Sequence, residues 1–499
     1  MTKLNLIIVL SIAISNLNAF ALNITNSVPG ELKTLVTDKT VTELSVSGQI
    51  DARDIKFISE EMLAVKQLNL ADVDIIAFNG MIPFLGDKLE YKENSLPEYC
   101  FFAKEYESVK LPSTLKSIDT GAFAGCKKLV DVTLPDGLES INDYAFSSCV
   151  SLSKLSLPMS LKKIGNGAFS RCETLTDVSL ETLSAECLMG ENLFANCTSL
   201  KRAVLGNQII NLPSGIFAGC TALTIVEVGE NPSLEKVGER AFDSTAITMF
   251  AFDSCNAIKD IGDWAFGNSE LKEINLPESI VNLGQGAFFY NKQLEKFAIP
   301  NKVSKLNDFV FAGTEALNNS LIVSDNTTEI GRYAFTDAGV TTITLPSTID
   351  YLGDYAFANN LNMTEMVVCA TDVPGLGENV FSGINQSGIV LKVPFESVEA
   401  YKSAEQWKEF NIAGDMSTLE EAVEIGDCLK IHFIDDYLHV IASEKIQHIE
   451  VYEPSGIMIT SHYPHKEYTT INLARASATV YIVVVQLESG ITKTKKLIK

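Results

Sequence analysis

Histidine is absent from residues 22–431 of this 499-residue sequence, and its absence excludes most catalytic constellations there. A Ser-His-Asp or Cys-His arrangement needs an imidazole as its general base, so neither can be built in that stretch. None of the five histidines present has the H-E-x-x-H spacing of a zinc protease. They are His432, His439, His448, His462 and His465. We therefore expect a protein that is not an enzyme and that needs no cofactor.

Metal-binding motifs and excess positive charge are missing as well. The ten cysteines contain no C-x-x-C pair, and no D-x-D-x-D-G calcium loop occurs. Asp and Glu outnumber Lys and Arg by 63 to 39, and a net charge of −24 disfavours a nucleic-acid partner. Paired carboxylates, as in glycosidases, remain the one enzyme-class alternative. We interpret acids such as Asp72, Asp74, Asp435 and Asp436 as solvated loop charge.

Long hydrophobic runs are absent except at the N-terminus. Lys3 precedes an apolar run from Leu4 to Ile14, and Ala19-Phe20-Ala21 follows with small-x-small spacing. This pattern is typical of a signal peptide, and the run is shorter than the roughly 20 residues of a membrane-spanning helix. A buried N-terminal strand or helix is the alternative. We expect residues 1–21 to be removed, leaving an exported chain without a transmembrane segment.

The sequence is dominated by a repeat of 22 to 25 residues that is marked by phenylalanine. Such a period is the signature of a leucine-rich-type solenoid. Because no single coil can bury its own apolar residues, neighbouring coils must stack and enclose these rings. The repeating residues are Phe101, Phe123, Phe146, Phe169, Phe194, Phe217, Phe242, Phe266, Phe288, Phe311, Phe335, Phe357 and Phe381.

One coil shows how the repeat is expected to fold. Val132 and Leu134 alternate as a short strand with one buried face, and Pro135 ends that strand because it lacks a backbone N–H. Leu138 and Ile141 then return across the interior. The sequence predicts a β-rich, right-handed leucine-rich-repeat solenoid of about thirteen coils, followed by a small C-terminal β-sandwich.

The unit L-x-x-V-x-L-P-x-x-L-x-x-I-x-x-x-A-F-x-x-C resembles the BspA-type leucine-rich repeat of bacterial surface proteins. On this basis we expect an N-terminal cap with a degenerate first repeat over residues 22–90 and regular repeats over 91–395. A helical cap is expected over 396–416, where Ser397 to Phe410 has an amphipathic pattern. The resemblance implies surface exposure and a role in adhesion or host interaction.

Residues 417–499 lack the phenylalanine period and contain alternating apolar runs that are typical of strands. Val451-Tyr452, Val480-Tyr481-Ile482-Val483 and the lysine-rich end from Lys493 to Lys499 resemble the sorting domain of type IX secretion cargo. That pattern usually has a glycine where this sequence has Thr479. A retained module that anchors the chain is therefore an open alternative to a sorting domain.

Five cysteines stand three residues after a repeat phenylalanine: Cys126, Cys149, Cys172, Cys197 and Cys220. Stacked coils would hold their Cβ atoms about 4.8 Å apart, whereas a disulfide needs about 3.8 Å. Small residues such as Thr245 and Ser269 occupy the same place in other coils. We predict a column of buried thiols without disulfides.

Aromatic residues recur two positions before the repeat phenylalanine and alternate there with glycine: Tyr99, Tyr144, Trp264, Phe309, Tyr333 and Tyr355. We call these six residues the aromatic strip. One hypothesis is that the strip binds a protein or glycan outside the cell, because interfaces favour Tyr and Trp. The alternative is that the rings cover the core at the edge of each coil. The family resemblance implies an adhesive or ligand-binding surface protein, with a structural component of the cell surface as the alternative.

Overall fold

The computed structural model describes residues 21–82, 90–230, 232–317, 320–394, 397–413, 429–434, 437–453, 455–473, 480–488 and 492–498. The predicted signal peptide therefore lies outside the described residues except for Ala21, the first residue of the first strand.

The solenoid has three walls, and the first consists of parallel strands that pair from coil to coil. Successive coils are in register, so that Val109 pairs with Val132 and Ala203 pairs with Val226. This register places equivalent side chains above one another along the chain. The first-wall strands are Ala21–Asn26, Glu43–Ile50, Gln67–Ile75, Ser108–Lys110, Asp131–Thr133, Asp177–Ser179, Arg202–Val204, Ile225–Glu227, Glu273–Ile274, Lys296–Phe297, Ser320–Ile322, Thr342–Leu345, Glu365–Val368, Val390–Lys392 and Asn411–Ala413.

The second wall consists of two-residue parallel strands, one from each phenylalanine-bearing coil. In most of them the second residue is apolar and buried while the first faces outward, as the alternation of side chains along a strand requires. The second-wall strands are Ser95–Leu96, Ser117–Ile118, Ser140–Ile141, Lys163–Ile164, Leu188–Met189, Asn211–Leu212, Lys236–Val237, Asp260–Ile261, Asn282–Leu283, Lys305–Leu306, Glu329–Ile330, Tyr351–Leu352 and Gly375–Leu376.

The third wall, which we call the turn wall, carries the repeat phenylalanines on consecutive tight turns. The Phe123 amide donates to the carbonyl of Ala145 in the next coil at 2.8 Å, and this bond recurs along the array. The thirteen rings are 0–3% exposed, and successive ring centroids lie 5.1 to 6.1 Å apart. The rings fill the interior, as the repeat predicts.

The predicted number of coils is wrong. The solenoid has about 16 turns, because regular stacking begins before the first phenylalanine-bearing coil. Ala21–Asn26, Glu43–Ile50 and Gln67–Ile75 pair in parallel and form early turns that lack the repeat phenylalanine. Helices Leu32–Leu35 and Ala52–Glu61 lie in this region, and a short antiparallel pair joins Phe78–Asn79 to Glu90–Tyr91.

The C-terminal end of the array is closed by helix Val398–Ser403 and the 3-10 helix Trp407–Glu409. The Trp407 ring centroid lies 5.2 Å from that of Phe381, so an indole covers the last repeat phenylalanine. Its indole N–H donates to the Pro374 carbonyl at 3.2 Å, and the Tyr401 hydroxyl donates to the Ala370 carbonyl at 3.0 Å. Two further 3-10 helices are Phe252–Ser254 and Gln386–Gly388.

The C-terminal region forms an antiparallel β-domain with a core of its own. Its longest strand, Tyr437–Tyr452, pairs through its first half with two strands and through its second half with two others. Because this strand takes part in two pairings along its length, the domain contains part of the predicted β-sandwich. The other strands are Leu429–Ile434, Met458–His462, Lys466–Asn472, Val480–Leu487 and Thr492–Ile498.

Candidate functional site

The backbone beneath the aromatic strip has a left-handed conformation in every phenylalanine-bearing coil. At the position two residues before the phenylalanine, φ lies between +52° and +63° in all thirteen coils. Glycine and asparagine accept this conformation at low cost, and it costs other residues roughly 1–2 kcal/mol. The position therefore favours glycine, as at Gly215, or asparagine, as at Asn192. The six aromatic residues are disfavoured by the backbone that holds them.

Three strip rings lie over a glycine of the following coil. A Cβ atom added to Gly121 would lie 2.3 Å from the Tyr99 ring, and one added to Gly286 would lie 2.5 Å from the Trp264 ring. The Tyr144 ring covers Gly167 in the same way. The glycine in the following coil therefore makes room for each of these three rings.

Phe309, Tyr333 and Tyr355 form a continuous stack along the solenoid, and Trp264 extends it by one ring. The ring centroids of Phe309 and Tyr333 are 4.9 Å apart, and those of Tyr333 and Tyr355 are 5.0 Å apart, with interplanar angles of 5° in both pairs. The Trp264 ring lies over Gly286, and its centroid is 6.2 Å from the centroid of the Phe309 ring. The structure thus brings four of the six predicted residues together and leaves Tyr99 and Tyr144 outside this stack.

The strip lies at the protein surface. Tyr144 is 51% exposed, and the other five rings are partly exposed. Partial exposure satisfies both hypotheses for the strip, since each ring covers backbone on one side and presents an edge to solvent.

Sequence reasoning missed two aromatic residues beside the stack. The Phe289 ring meets Trp264 edge-on at 5.1 Å, and Tyr290 is 45% exposed with the Lys292 ammonium 4.4 Å from its ring centroid. The signal in the sequence was the run of three aromatic residues from Phe288 to Tyr290. Only the first belongs to the repeat; of the next two, Phe289 packs against the strip, and Tyr290 lies outside it.

A column of mostly acidic side chains runs beside the strip, three residues before each phenylalanine. One carboxylate oxygen of each aspartate accepts the backbone N–H of the next coil at 2.7 to 2.8 Å, and these bonds fix the carboxylates in place. The pairs are Asp143 with Asn166, Asp263 with Gln285, Asp308 with Arg332, and Asp354 with Glu378. Arg332 also forms an ion pair with Asp308 at 2.9 Å. The strip is therefore bordered by negative charge.

The cysteine column has a structural function. Each thiol of the column donates to the carbonyl of a phenylalanine in an earlier coil, with sulfur–oxygen distances of 3.0 to 3.4 Å. Asn291 and Asn360 make the equivalent bond in later coils. Burial raises the pKa of Cys126 to about 12, so its sulfur is a protonated donor at neutral pH. The predicted thiol column is confirmed, and its sulfurs are free of disulfides.

The other chemical candidates are not gathered into a site. Asp72 and Asp74 are exposed on a first-wall strand, and Asp435 and Asp436 lie outside the described residues. The His448 ring stacks on Tyr463 at 4.1 Å, which is a packing contact. Among the described residues no group of three or more His, Cys, Asp or Glu side chains is placed to share a metal ion.

Comparison with known proteins places the repeat in a family. The sequence matches the family described as BspA type Leucine rich repeat region, with six copies over residues 94–188, 188–318 and 287–406. No curated protein matches the chain. Within the described part of the chain, no helix is both long enough and apolar enough to cross a bilayer.

Several solved structures are similar to this chain. A leucine-rich repeat protein from Bacteroides ovatus is 23% identical, with 67% of this chain and 91% of that chain covered and a TM-score of 0.49. A leucine rich cell surface protein from Faecalibacterium prausnitzii is 21% identical, with 58% and 86% covered and a TM-score of 0.33. The leucine-rich repeat protein of T. pallidum is 34% identical, with 30% and 69% covered and a TM-score of 0.27.

Proposed function

Because the chain belongs to the BspA-type leucine-rich repeat family, we propose that it is a non-catalytic surface or secreted protein that binds a protein or glycan. The matching family is a repeat family and not an enzyme family. The ligand-binding surface is the aromatic strip, above all the stack of Trp264, Phe309, Tyr333 and Tyr355.

The left-handed backbone beneath these rings carries the proposal. Glycine occupies the same position in four coils and would remove the conformational cost. Residues held in a disfavoured conformation cluster at ligand-binding sites, where the rest of the fold offsets their cost. Exposed Tyr and Trp are also the residue types that contribute most to binding interfaces. Ligand binding therefore explains why aromatic residues occupy a position where glycine would be more stable.

The test replaces two rings by a residue that the backbone accepts. Asparagine occurs at the strip position in Asn192 and Asn379 with φ of +57° and +52°. The double variant Tyr333→Asn/Tyr355→Asn should therefore keep the fold while removing half of the four-ring stack. We expect binding to immobilised matrix proteins and glycans to weaken at least tenfold, with Tm within a few degrees of the parent protein.

Tyr290→Asn is the matched control, since Tyr290 is also a half-exposed tyrosine with a φ of +58° but lies off the strip. Unchanged binding by the double variant would refute the strip as the ligand site. A large fall in Tm would instead support the covering role.

The second candidate is a structural component of the cell surface with no ligand of its own. The observation that favours it is the packing of Tyr99, Tyr144 and Trp264 on glycines of the next coil, which resembles the covering of strand glycines by aromatic rings. Under this hypothesis the parent protein binds none of the immobilised matrix proteins or glycans, and the ring substitutions lower only its stability.

We also propose that the chain is exported and that its C-terminal β-domain directs sorting or anchoring at the surface. The resemblance of Val451-Tyr452 and Val480-Tyr481-Ile482-Val483 to type IX sorting domains supports this proposal, and so does the signal-peptide pattern. Protease shaving of intact cells tests it: an exposed chain is degraded while cytoplasmic markers survive. Deleting residues 429–499 should then leave the chain unshaved inside the cell, and continued display would remove the sorting role.

A further inference from the structure

A surface groove of about 1070 Å³ lies where the last coils meet the C-terminal cap. Its walls come from the final two-residue strands and from the cap segment that contains Gln406. The side chain of Gln406 accepts the Val380 amide at 2.9 Å and donates to the Gly377 carbonyl at 2.7 Å. Both ends of this amide are therefore held, so the cap side of the groove is fixed before any ligand arrives.

The groove is acidic. Asp354, Glu378 and Glu405 line it, and no lysine, arginine or histidine is among its lining residues. One oxygen of Asp354 accepts the Glu378 amide at 2.7 Å, which orients the carboxylate. The nearest strip-side cation, Arg332, is one coil earlier and already forms a two-point ion pair with Asp308. Among the described residues none of these three carboxylates forms an ion pair within 4 Å, although the pKa of Arg332, which its hydrogen bonds to Asp308 raise most, is also raised by the negative charge of Asp354.

Aromatic surface borders these carboxylates. The Tyr351 ring lines the groove, is 40% exposed, and lies over Gly375 of the next coil, where an added Cβ would be 3.2 Å away. Tyr355, the last ring of the strip, directly follows Asp354 in the sequence, and its hydroxyl accepts the Asn379 amide at 3.0 Å. The groove is therefore continuous with the end of the aromatic stack.

We propose that this groove binds a lysine- or arginine-rich segment of a protein partner, which enters along the aromatic strip. The inference rests on the proposed binding function and names the chemistry of the partner. Carboxylates pair with ammonium and guanidinium groups through charge-assisted hydrogen bonds, and the exposed Tyr351 ring beside them adds cation–π attraction. The net charge of −24 would also attract such a segment over a longer range.

A neutral glycan fits these observations less well. Sugars bind on open ring faces, whereas both faces of Tyr333 are covered, one by Phe309 and the other by Tyr355. A polyanion such as nucleic acid is excluded by the three carboxylates. The occupant that matches both charge and shape is an extended basic peptide.

The experiment measures binding of a fluorescein-labelled hexa-arginine peptide to the full chain by fluorescence anisotropy. The groove variant is Asp354→Asn/Glu378→Gln/Glu405→Gln, which removes three charges without removing volume. The matched control is Asp131→Asn/Asp177→Asn/Glu273→Gln, which neutralises three exposed acids on the first wall. We expect the groove variant to bind at least tenfold more weakly than the parent, and the control to stay within threefold.

Equal weakening by the two triple variants would overturn the proposal, because the peptide would then sense only net charge. Retained affinity in the groove variant would overturn it too, and so would failure of the parent to bind the peptide. These failures are separable from failure of the binding function itself. If Tyr333→Asn/Tyr355→Asn still abolishes binding to the immobilised matrix proteins or glycans, the strip binds a ligand of another chemistry.

Discussion

Removing one ring from the middle of the phenylalanine stack should destabilise the solenoid strongly. Phe169 is fully buried, and its ring centroid lies 5.4 Å from Phe146 and 5.6 Å from Phe194. Phe→Ala in a packed core costs about 3–5 kcal/mol through lost burial and the cavity left behind. Stacking contributes about 0.5–1.5 kcal/mol of pair energy beyond burial, so losing two partners places Phe169→Ala in the upper part of that range.

The assay is urea unfolding of the full chain followed by far-ultraviolet circular dichroism. Hydrogen exchange on the turn-wall amides of the coils on either side provides a local readout. We expect the protection of these amides to fall together with the unfolding midpoint, because coils contact only their neighbours. Phe102→Ala is the control, since Phe102 is adjacent to a repeat phenylalanine but is 45% exposed. A loss below about 1 kcal/mol for Phe169→Ala would refute stacking as the source of stability.

Three further predictions follow from the ends, the thiols and the glycines. Gly286→Ala should lower the free energy of unfolding by at least about 1–2 kcal/mol, because φ is +58° there and the new Cβ would collide with Trp264. Gly137→Ala is the control in the same urea titration and should lower it less, because φ at Gly137 is not in the left-handed region. Native column thiols should resist iodoacetamide at pH 8.5, since burial raises the pKa of Cys126 to about 12 and keeps its sulfur protonated below that pH; rapid native labelling would contradict this. Trp407→Ala should expose the last coil and promote self-association, measured as a larger mass in light scattering than that of the parent protein; an equal mass would argue against the capping role.

The phenylalanine period was enough to predict the stacked core, because the same buried position is occupied by phenylalanine in each of these coils. The Ser397–Phe410 segment also has an apolar face in the sequence, and in the structure its Trp407 packs on Phe381. The early turns before residue 90 could not be counted. They stack through strands such as Gln67–Ile75 and lack the phenylalanine that identifies the later coils.

The strip could be located from the sequence, but its geometry could not. Residue identity showed that aromatics alternate with glycine two positions before the phenylalanine. It did not show that the backbone is left-handed at that position or that Trp264 lies over Gly286. These facts depend on the turn wall, in which each coil donates amides to the next. The acidic groove was equally hidden, since Asp354 and Glu405 are far apart in the chain.

The direction of the turn-wall hydrogen bonds has a consequence for how this protein can change length. From the coil of Phe101 to the coil of Phe357, the phenylalanine amide donates to a carbonyl of the next coil, as the Phe123 amide does to Ala145. A duplicated coil would therefore find partners on both sides and leave the two caps untouched. The aromatic surface could grow or shrink in steps of about 4.8 Å, so that a lineage could lengthen its reach without redesigning a single contact.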